Sequence, residues 1–247
     1  MTYLWGESNF MANHDPNGLV NHPYFLLTFA LGSILVFDFG FYLQHYLMHK
    51  ISFLWEFHKV HHSAEVMTPL TFFRVHPVDW LSMSLVYGLL VGGFQGTYKY
   101  FIPYEASLVK IMGFNIITFA FYFMGIHLRH SHIWISYGQI LSRIFISPAQ
   151  HQIHHSLAPR HFDKNLGAIF SLWDWLFGTL YVPKKKEDIQ FGLSRGEHKE
   201  FSSLWSLYFL PFQKNIRSHS TSKKLLAFLF IAVLFFFAAK RIVLKLI

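Results

Sequence analysis

The sequence predicts an all-α integral membrane protein, with three to four transmembrane or membrane-penetrating helices and a cytoplasmic helical cap that carries a histidine cluster. Three observations predict it. Of 247 residues, 53% are hydrophobic and 14% charged, with 29 phenylalanines, which is too apolar for an ordinary soluble domain of this size. Apolar runs long enough to reach into or across a bilayer recur along the chain. Most of the 17 histidines fall into short clusters at the ends of those runs.

The first run, Pro23 to about Tyr42, reads PYFLLTFALGSILVFDFGFY and has Asp38 as its one charge. It is long enough to cross the ~30 Å hydrocarbon core, and the lone carboxylate suits a single polar contact better than an ion path. The preceding residues, 1–22, lack a basic leader and carry Glu7, His14 and Asp15, so the first span is expected to be retained and not cleaved. A second run from Trp80 to about Phe94 and a third from Leu108 to about Ile126 form a helical hairpin through a connection containing Gly96, Pro103 and Tyr104. The second run is short, so the hairpin either crosses or penetrates partway. Ile133 to Phe212 is mixed in pattern, with Trp173, Trp175 and Trp205, as suits a cap resting on the membrane. A fourth run, Leu225 to Ala239, is flanked by Lys223, Lys224, Lys240 and Arg241 and either spans or lies tilted at the interface.

Charge orients these elements. No Lys or Arg precedes Lys50, whereas Lys50, Lys59, Arg74, Arg129, Arg143, Arg160, Lys164 and Lys184 to Lys186 lie beyond the far end of the first span. The excess of basic residues marks that side as cytoplasmic, with Lys99 and Lys110 at the hairpin tip running against it but outnumbered. Every histidine cluster lies on the same side. A bacterial inner membrane or the endoplasmic reticulum is the expected setting. The net charge of +8 follows apolar segments instead of forming a basic face with stacking aromatics, so lipid headgroups and not nucleic acid are the expected partner.

The clusters have metal-ligand spacing. HYLMH places His45 and His49 four apart, and HKVHH (His58, His61, His62) and HQIHH (His151, His154, His155) repeat one pattern. At about 100° per residue, such spacings put imidazoles on one helical face. His127, His130 and His132 follow the third run. The chain has no cysteine, which removes thiolate zinc sites, iron–sulfur clusters and cysteine nucleophiles together. Eight or more nitrogen donors are too many for one first-row metal and suit two. There is no HExxH with its general-base carboxylate, as a zinc hydrolase would show, and two axial histidines would suffice for a haem. A histidine-rich metal transporter or metal-binding protein is the competing reading, but transport ligands belong at the bilayer midplane and these sit at one end.

From about Asp38 to Pro183 the chain resembles the fatty acid hydroxylase and sterol desaturase superfamily. The resemblance rests on HxxxH and two HxxHH motifs, on TFFRVHPVDW (Thr71 to Trp80), and on SPAQHQIHHS followed by DKNLGAIFSLWDWLFGTLY (Asp163 to Tyr181). HHSAE and DKNLG are also similar to alkylglycerol monooxygenase and its bacterial relatives. The resemblance implies a di-iron centre on His45, His49, His58, His61, His62, His151, His154 and His155, with His130 aligning best among the later histidines. His127, one turn earlier, shares its face and ranks second. His132, turned by about 200°, ranks third. His76, Asp163, Asn165 and Asp174 are candidates for orienting the ligands, with turn or capping roles as the alternative for His76 and Asp163.

The implied activity is hydroxylation or desaturation of a lipid of sterol, fatty acyl or alkylglycerol type, using dioxygen and external electrons. No nucleotide fingerprint or haem domain is evident, so electrons are expected from an electron-transfer protein docking on the basic cap, or from a reduced pterin. Phe39, Phe41, Phe72, Phe73, Phe119 and Phe121 are candidates for an apolar passage, although packing is the simpler role for any one of them. The expected domains are a non-cytoplasmic segment (1–22), a fatty acid hydroxylase-like catalytic domain (23–183), a cytoplasmic basic or amphipathic segment (184–222) and a C-terminal hydrophobic helix (223–247).

Overall fold

The computed structural model describes residues 23–101, 125 and 127–218. The third and fourth apolar runs, Phe119, Phe121 and the two terminal segments therefore lie wholly or almost wholly outside the described residues. Among those described the chain is helical, without strands, its β-structure limited to one isolated bridge between Phe145 and Phe170.

Helix α1 spans Pro23–Lys50 and α3 spans Pro77–Phe101. At 1.5 Å per residue they measure about 42 and about 37 Å, so each is long enough to cross a bilayer. Both exceed the spans expected from the apolar runs alone: α1 continues through the polar residues at the cap side, and α3 begins three residues earlier there and runs on to Phe101 at its far end. In the most apolar stretches of the two helices only 22% and 11% of residues are buried within the protein. Core helices of a soluble protein would be covered; these present their apolar surface outward.

The two helices pack antiparallel. Thr28 meets Tyr98, the Phe37 and Tyr87 rings stack at 4.5 Å, and Gln44 donates to Ser82 Oγ at 2.8 Å. Glycine permits the close approach: a Cβ at Gly32 would lie 2.5 Å from Phe94 Cζ, and one at Gly40 2.9 Å from the Tyr87 ring.

Helix α2 (Ser52–His62) follows α1 after a single residue, Ile51, whose extended backbone turns the chain. Its Phe53 and Phe57 pack with Met48 and Val78. The cap is completed by short helices α4 (Gly138–Leu141), α5 (Pro148–His154) and α6 (Leu172–Leu176), and by α7 (Leu204–Arg217). Helix α5 begins at a capping box legible in SPAQ: Ser147 Oγ accepts from Gln150 N while Gln150 Oε1 accepts from Ser147 N, with Pro148 in the first turn. His76 Nδ1 accepts from Val78 N at the start of α3, and its Nε2 donates to Tyr208 O of α7. It ties α3 to α7, as a turn and capping residue.

The segment after α5 fixes the cap to α1. It descends antiparallel to the helix: Asp163 meets His49, Leu166 O meets His45, and the amides of Ile169 and Phe170 meet Asp38. This stretch is not helical, and a helix-free backbone against a membrane-crossing helix must find partners within the protein. Two buried carboxylates supply them. Asp38 accepts from Ile169 N (2.8 Å), Phe170 N (3.1 Å) and Trp173 Nε1 (2.9 Å), three contacts where the sequence suggested one. Asp174 accepts from Leu166 N, Gly167 N and Thr179 Oγ1. Burial still outweighs these donors and pushes the Asp174 carboxyl up to about 6.

Removing the Asp38 acceptor leaves three buried donors unpaired. Asp38→Ala is expected to lower stability by on the order of 3 kcal/mol or more, with Asp38→Asn falling between it and wild type; thermal unfolding in detergent micelles measures both.

Candidate metal centre

Nine histidines converge where α1, α2, α5 and the turn after residue 129 meet. They form two groups able to hold a metal ion: His45, His49, His58, His62 and His154, and His61, His130, His151 and His155. Within each group the donor atoms lie within 4.8 Å of one another. Each HxxHH motif divides between them. His58 and His62 join the first group and His61 the second; His151 and His155 join the second and His154 the first. Helical geometry explains this: residues four apart differ by about 40°, while the central histidine is turned about 100° from the one that follows it. The sequence expectation that all three point one way holds for the cluster as a whole but not for the individual groups.

The rings are held by their outer nitrogens. Nδ1 of His45 donates to Leu166 O (2.8 Å), that of His154 to Lys164 O (2.9 Å) and that of His61 to Arg74 O (3.3 Å). Nδ1 of His58 meets Asp79 Oδ1 at 2.6 Å, and that of His49 meets Asp163 Oδ1 at 3.2 Å. These bonds select the tautomer with the Nε2 lone pair directed inward. The inward atoms then have no protons to share. His45 Nε2 lies 3.1 Å from His58 Nε2, and His61 Nε2 lies 3.3 Å from His130 Nε2. Nε2 of His49, His62 and His154 is buried without a hydrogen-bond partner. Converging, desolvated lone pairs repel and go unsatisfied unless a cation lies among them, so the donor set fits metal ions.

Protonation does not supply that cation near neutral pH. Burial, followed by the neighbouring imidazoles, holds His61, His62, His151 and His155 well below the usual histidine range. Burial lowers His154 to about 3. Neutral imidazole is the metal-binding form.

Several residues singled out from the sequence lie elsewhere. His127 is half-buried beside the Phe72 and Phe73 rings, in neither group, and His132 is exposed. Asn165 bridges Gln150 O and Tyr181 N, and Asp174 acts through the amides of Leu166 and Gly167. Of the candidate orienting groups only Asp163 touches an imidazole of the cluster. Sequence reasoning missed Asp79, although it sits within HPVDW, two residues beyond the proline. It also missed the carbonyls of Arg74, Lys164 and Leu166, which leave no trace in side-chain identity.

Two cavities reach the cluster. One, about 220 Å³, lies between α1 and α3; its lining includes Phe37, Phe41, Phe72, Met83 and Tyr87 and reaches His45, His58, His61, His130 and His151. Of the expected passage, Phe41 and Phe72 belong to it, Phe39 packs against Trp173 and Phe177, and Phe73 is exposed. The other, about 340 Å³, opens through the cap; Trp55, Lys59, Ser156, Asp163 and Glu197 surround its approach to His49, His62, His154 and His155.

Two outcomes test the centre. Asp79→Asn removes the charged partner of His58 and is expected to weaken metal retention about 10- to 100-fold, read by metal content after dialysis against a chelator. Metal-depleted protein is expected to lose stability as pH falls from about 6.5 towards 3. The unfolded chain binds protons at His61, His62, His151, His154 and His155 across that window, and the folded chain leaves these five neutral. A melting temperature flat across that range would contradict the buried, neutral state of the cluster.

The family model for fatty acid hydroxylase matches residues 30–179. Among curated relatives, alkylglycerol monooxygenase of Caenorhabditis elegans is 27% identical over 73% of this chain and 34% of its own length. Ornithine lipid hydroxylase OlsE of Rhizobium tropici is 27% identical over 78% of this chain and 53% of its own. Delta(7)-sterol 5(6)-desaturase of Eremothecium gossypii is 30% identical over 62% of this chain and 38% of its own. The chain thus spans from about a third to about half the length of these relatives, and no solved structure matches it. With most of its length matched and its histidines gathered as described, the chain belongs to the fatty acid hydroxylase family.

Proposed function

We propose that this protein is a membrane-embedded lipid oxidoreductase that holds two iron ions, one in each histidine group, and hydroxylates or desaturates a lipid with dioxygen and external electrons. One observation carries the reading: nine imidazoles gather in two groups, and five of them, His45, His58, His61, His130 and His151, border an apolar cavity between two helices long enough to cross a bilayer. The names of the relatives, a monooxygenase, a lipid hydroxylase and a sterol desaturase, support the same class of chemistry. Bound iron would supply the means of using dioxygen against an unactivated C–H bond.

The chain's own residues set the conditions for that chemistry. The nine histidines are the ligands; His127 is placed apart from them, and His132 outside. Asp79, Asp163 and the carbonyls of Leu166, Lys164 and Arg74 hold the rings in register. Phe37, Phe41, Phe72 and Met83 keep water from the lipid-facing side, where stray water or side reactions would waste reducing equivalents. In hydroxylation one oxygen atom enters the C–H bond and the other leaves as water, consuming two external electrons and two protons. In desaturation two hydrogens leave the chain instead. The cap-side cavity faces the aqueous co-reactants. Exposed Lys184, Lys185 and Lys186 offer a surface for an acidic electron-transfer protein on the cytoplasmic side.

The test is reconstitution of the full chain with iron in vesicles containing chain lipids, alkylglycerols and sterols, with a reducing system. Wild type is expected to yield a hydroxylated, desaturated or ether-cleaved lipid that disappears without dioxygen. His155→Ala is expected to cut product at least 100-fold while circular dichroism shows it folded. Metal flux across sealed vesicles, with no oxygen-dependent product from any lipid class, would establish a transporter and end this reading.

A further inference from the structure

The apolar cavity beside the histidines is narrow and has a floor. Along α3 its wall runs from Asp79, at the histidine end, through Met83 to Tyr87, residues four apart on one helical face and together spanning about 12 Å of helix. On α1, Phe37 faces Tyr87 with ring centroids 4.5 Å apart. Gly40 lets that ring lie against the α1 backbone, since a Cβ there would be 2.9 Å from it. Beyond the stack the helices are in direct contact, with Phe94 Cζ only 2.5 Å from where a Gly32 Cβ would stand. The cavity therefore ends at Phe37 and Tyr87. Most of its polar groups, Gln44, Asp79 and the imidazoles, gather at the opposite end; Arg129 also lines it, with its guanidinium turned to the Ala168 carbonyl.

Volume then limits what enters. A cavity of about 150 Å³ accommodates a six-carbon ring. By that measure the 220 Å³ here holds about nine aliphatic carbons, and an extended chain of that size matches the depth. The four fused rings of a sterol nucleus exceed that volume.

We propose that the cavity admits an unbranched alkyl or acyl chain, methyl end first, and that the Phe37–Tyr87 stack is the stop that fixes which carbon lies beside the histidines. The proposal rests on the lipid-oxidase reading and narrows its substrate to chain lipids, as against a sterol nucleus. The methyl end leads because a polar headgroup at the stack would lose its water for a mostly apolar wall. Phe37 and Tyr87 are specificity residues: oxidation is measured from the methyl end, about nine carbons in.

The experiment uses the reconstituted full chain with lipids bearing saturated chains of increasing length, and mass spectrometry to locate the oxidised carbon. In wild type its distance from the methyl end is expected to stay constant as chains lengthen. Tyr87→Ala deepens the cavity and should move the position several carbons towards the headgroup; Gly40→Ala, which pushes the Tyr87 ring into the cavity, should move it towards the methyl end. A position counted from the headgroup, an unmoved position in both folded variants, or oxidation of a sterol ring carbon overturns the proposal. An absence of oxidised product from every lipid class defeats the lipid-oxidase reading instead.

A measurement without turnover separates the two further. With the protein lacking reductant, a phospholipid carrying a diazirine at the methyl end of one chain is expected to label the segments containing Phe37 or Tyr87, and excess chain lipid, but not sterol, should suppress the label. Labelling elsewhere, or equal suppression by sterol, overturns the proposal.

Discussion

The structure depends on how the stretch from Leu166 to Phe170 is held against the first membrane-crossing helix. Four of its amides are taken by two buried carboxylates, Asp38 from α1 and Asp174 from the cap. Neither carboxylate touches an imidazole, yet together they decide where the Leu166 carbonyl points, and that carbonyl sets the His45 ring. The same loop begins with Asp163 and Lys164, which hold His49 and His154. Three of the five imidazoles in the larger group are thus oriented by one segment. A Cβ on Gly167 would meet Phe170 O at 2.7 Å and Asp174 Oδ2 at 2.8 Å, so the loop can close on its carboxylate only with glycine there.

The arrangement reconciles two requirements that ordinarily conflict. Metal binding needs unprotonated, converging lone pairs, which are costly to bury; a lipid needs an apolar approach, which makes that burial unavoidable. Bonding the outer nitrogens of His45, His49, His58, His61 and His154 to oxygens lowers the cost by fixing tautomers and ring planes, and it leaves the inward atoms of those rings to be satisfied by a cation. The helices contribute by angle alone. Because α2 turns off α1 at Ile51, the last turns of both face one another, and His45 meets His58 across the bend.

Much of this was legible in the sequence. The histidine spacings, the long first span and the gathering of the clusters at one end of the apolar helices are all local patterns that a helix translates directly into space. What was not legible depends on contacts between distant segments. Asp38 looked like a single polar contact because nothing in its neighbourhood announces a loop more than 100 residues later. Asp79 was hidden by its role as an apparent first-turn residue of α3. The carbonyl acceptors carry no signature at all, since any residue has one. His127 shared a predicted face with His130, but the helix gives way to a turn at residue 130, and periodicity stops predicting where side chains go once the helix ends.

The two histidine groups are not electrostatically equivalent. Asp79 and Asp163 both serve the five-histidine group, through His58 and His49, and carboxylate partners make their imidazoles stronger donors. In the four-histidine group, His61 leans on a neutral carbonyl, and burial, then His130 and Arg129, lower the basicity of His151; Arg129 acts on His154 of the other group as well. A cation bound there would meet four imidazoles instead of five, without a carboxylate-paired ring among those whose outer nitrogens are shown, and would keep more of its charge. Three of that group's histidines, His61, His130 and His151, line the apolar cavity, against two of the other, His45 and His58. The four-histidine group thus presents more of its rings to the apolar cavity, while three of the five histidines in the other group, His49, His62 and His154, line the cap-side cavity together with His155. The asymmetry lies in the ordering of donors along the chain: the HxxxH pair and both carboxylate-paired histidines, His49 on Asp163 and His58 on Asp79, belong to one group, and the other is completed by a single histidine from the turn at residue 130.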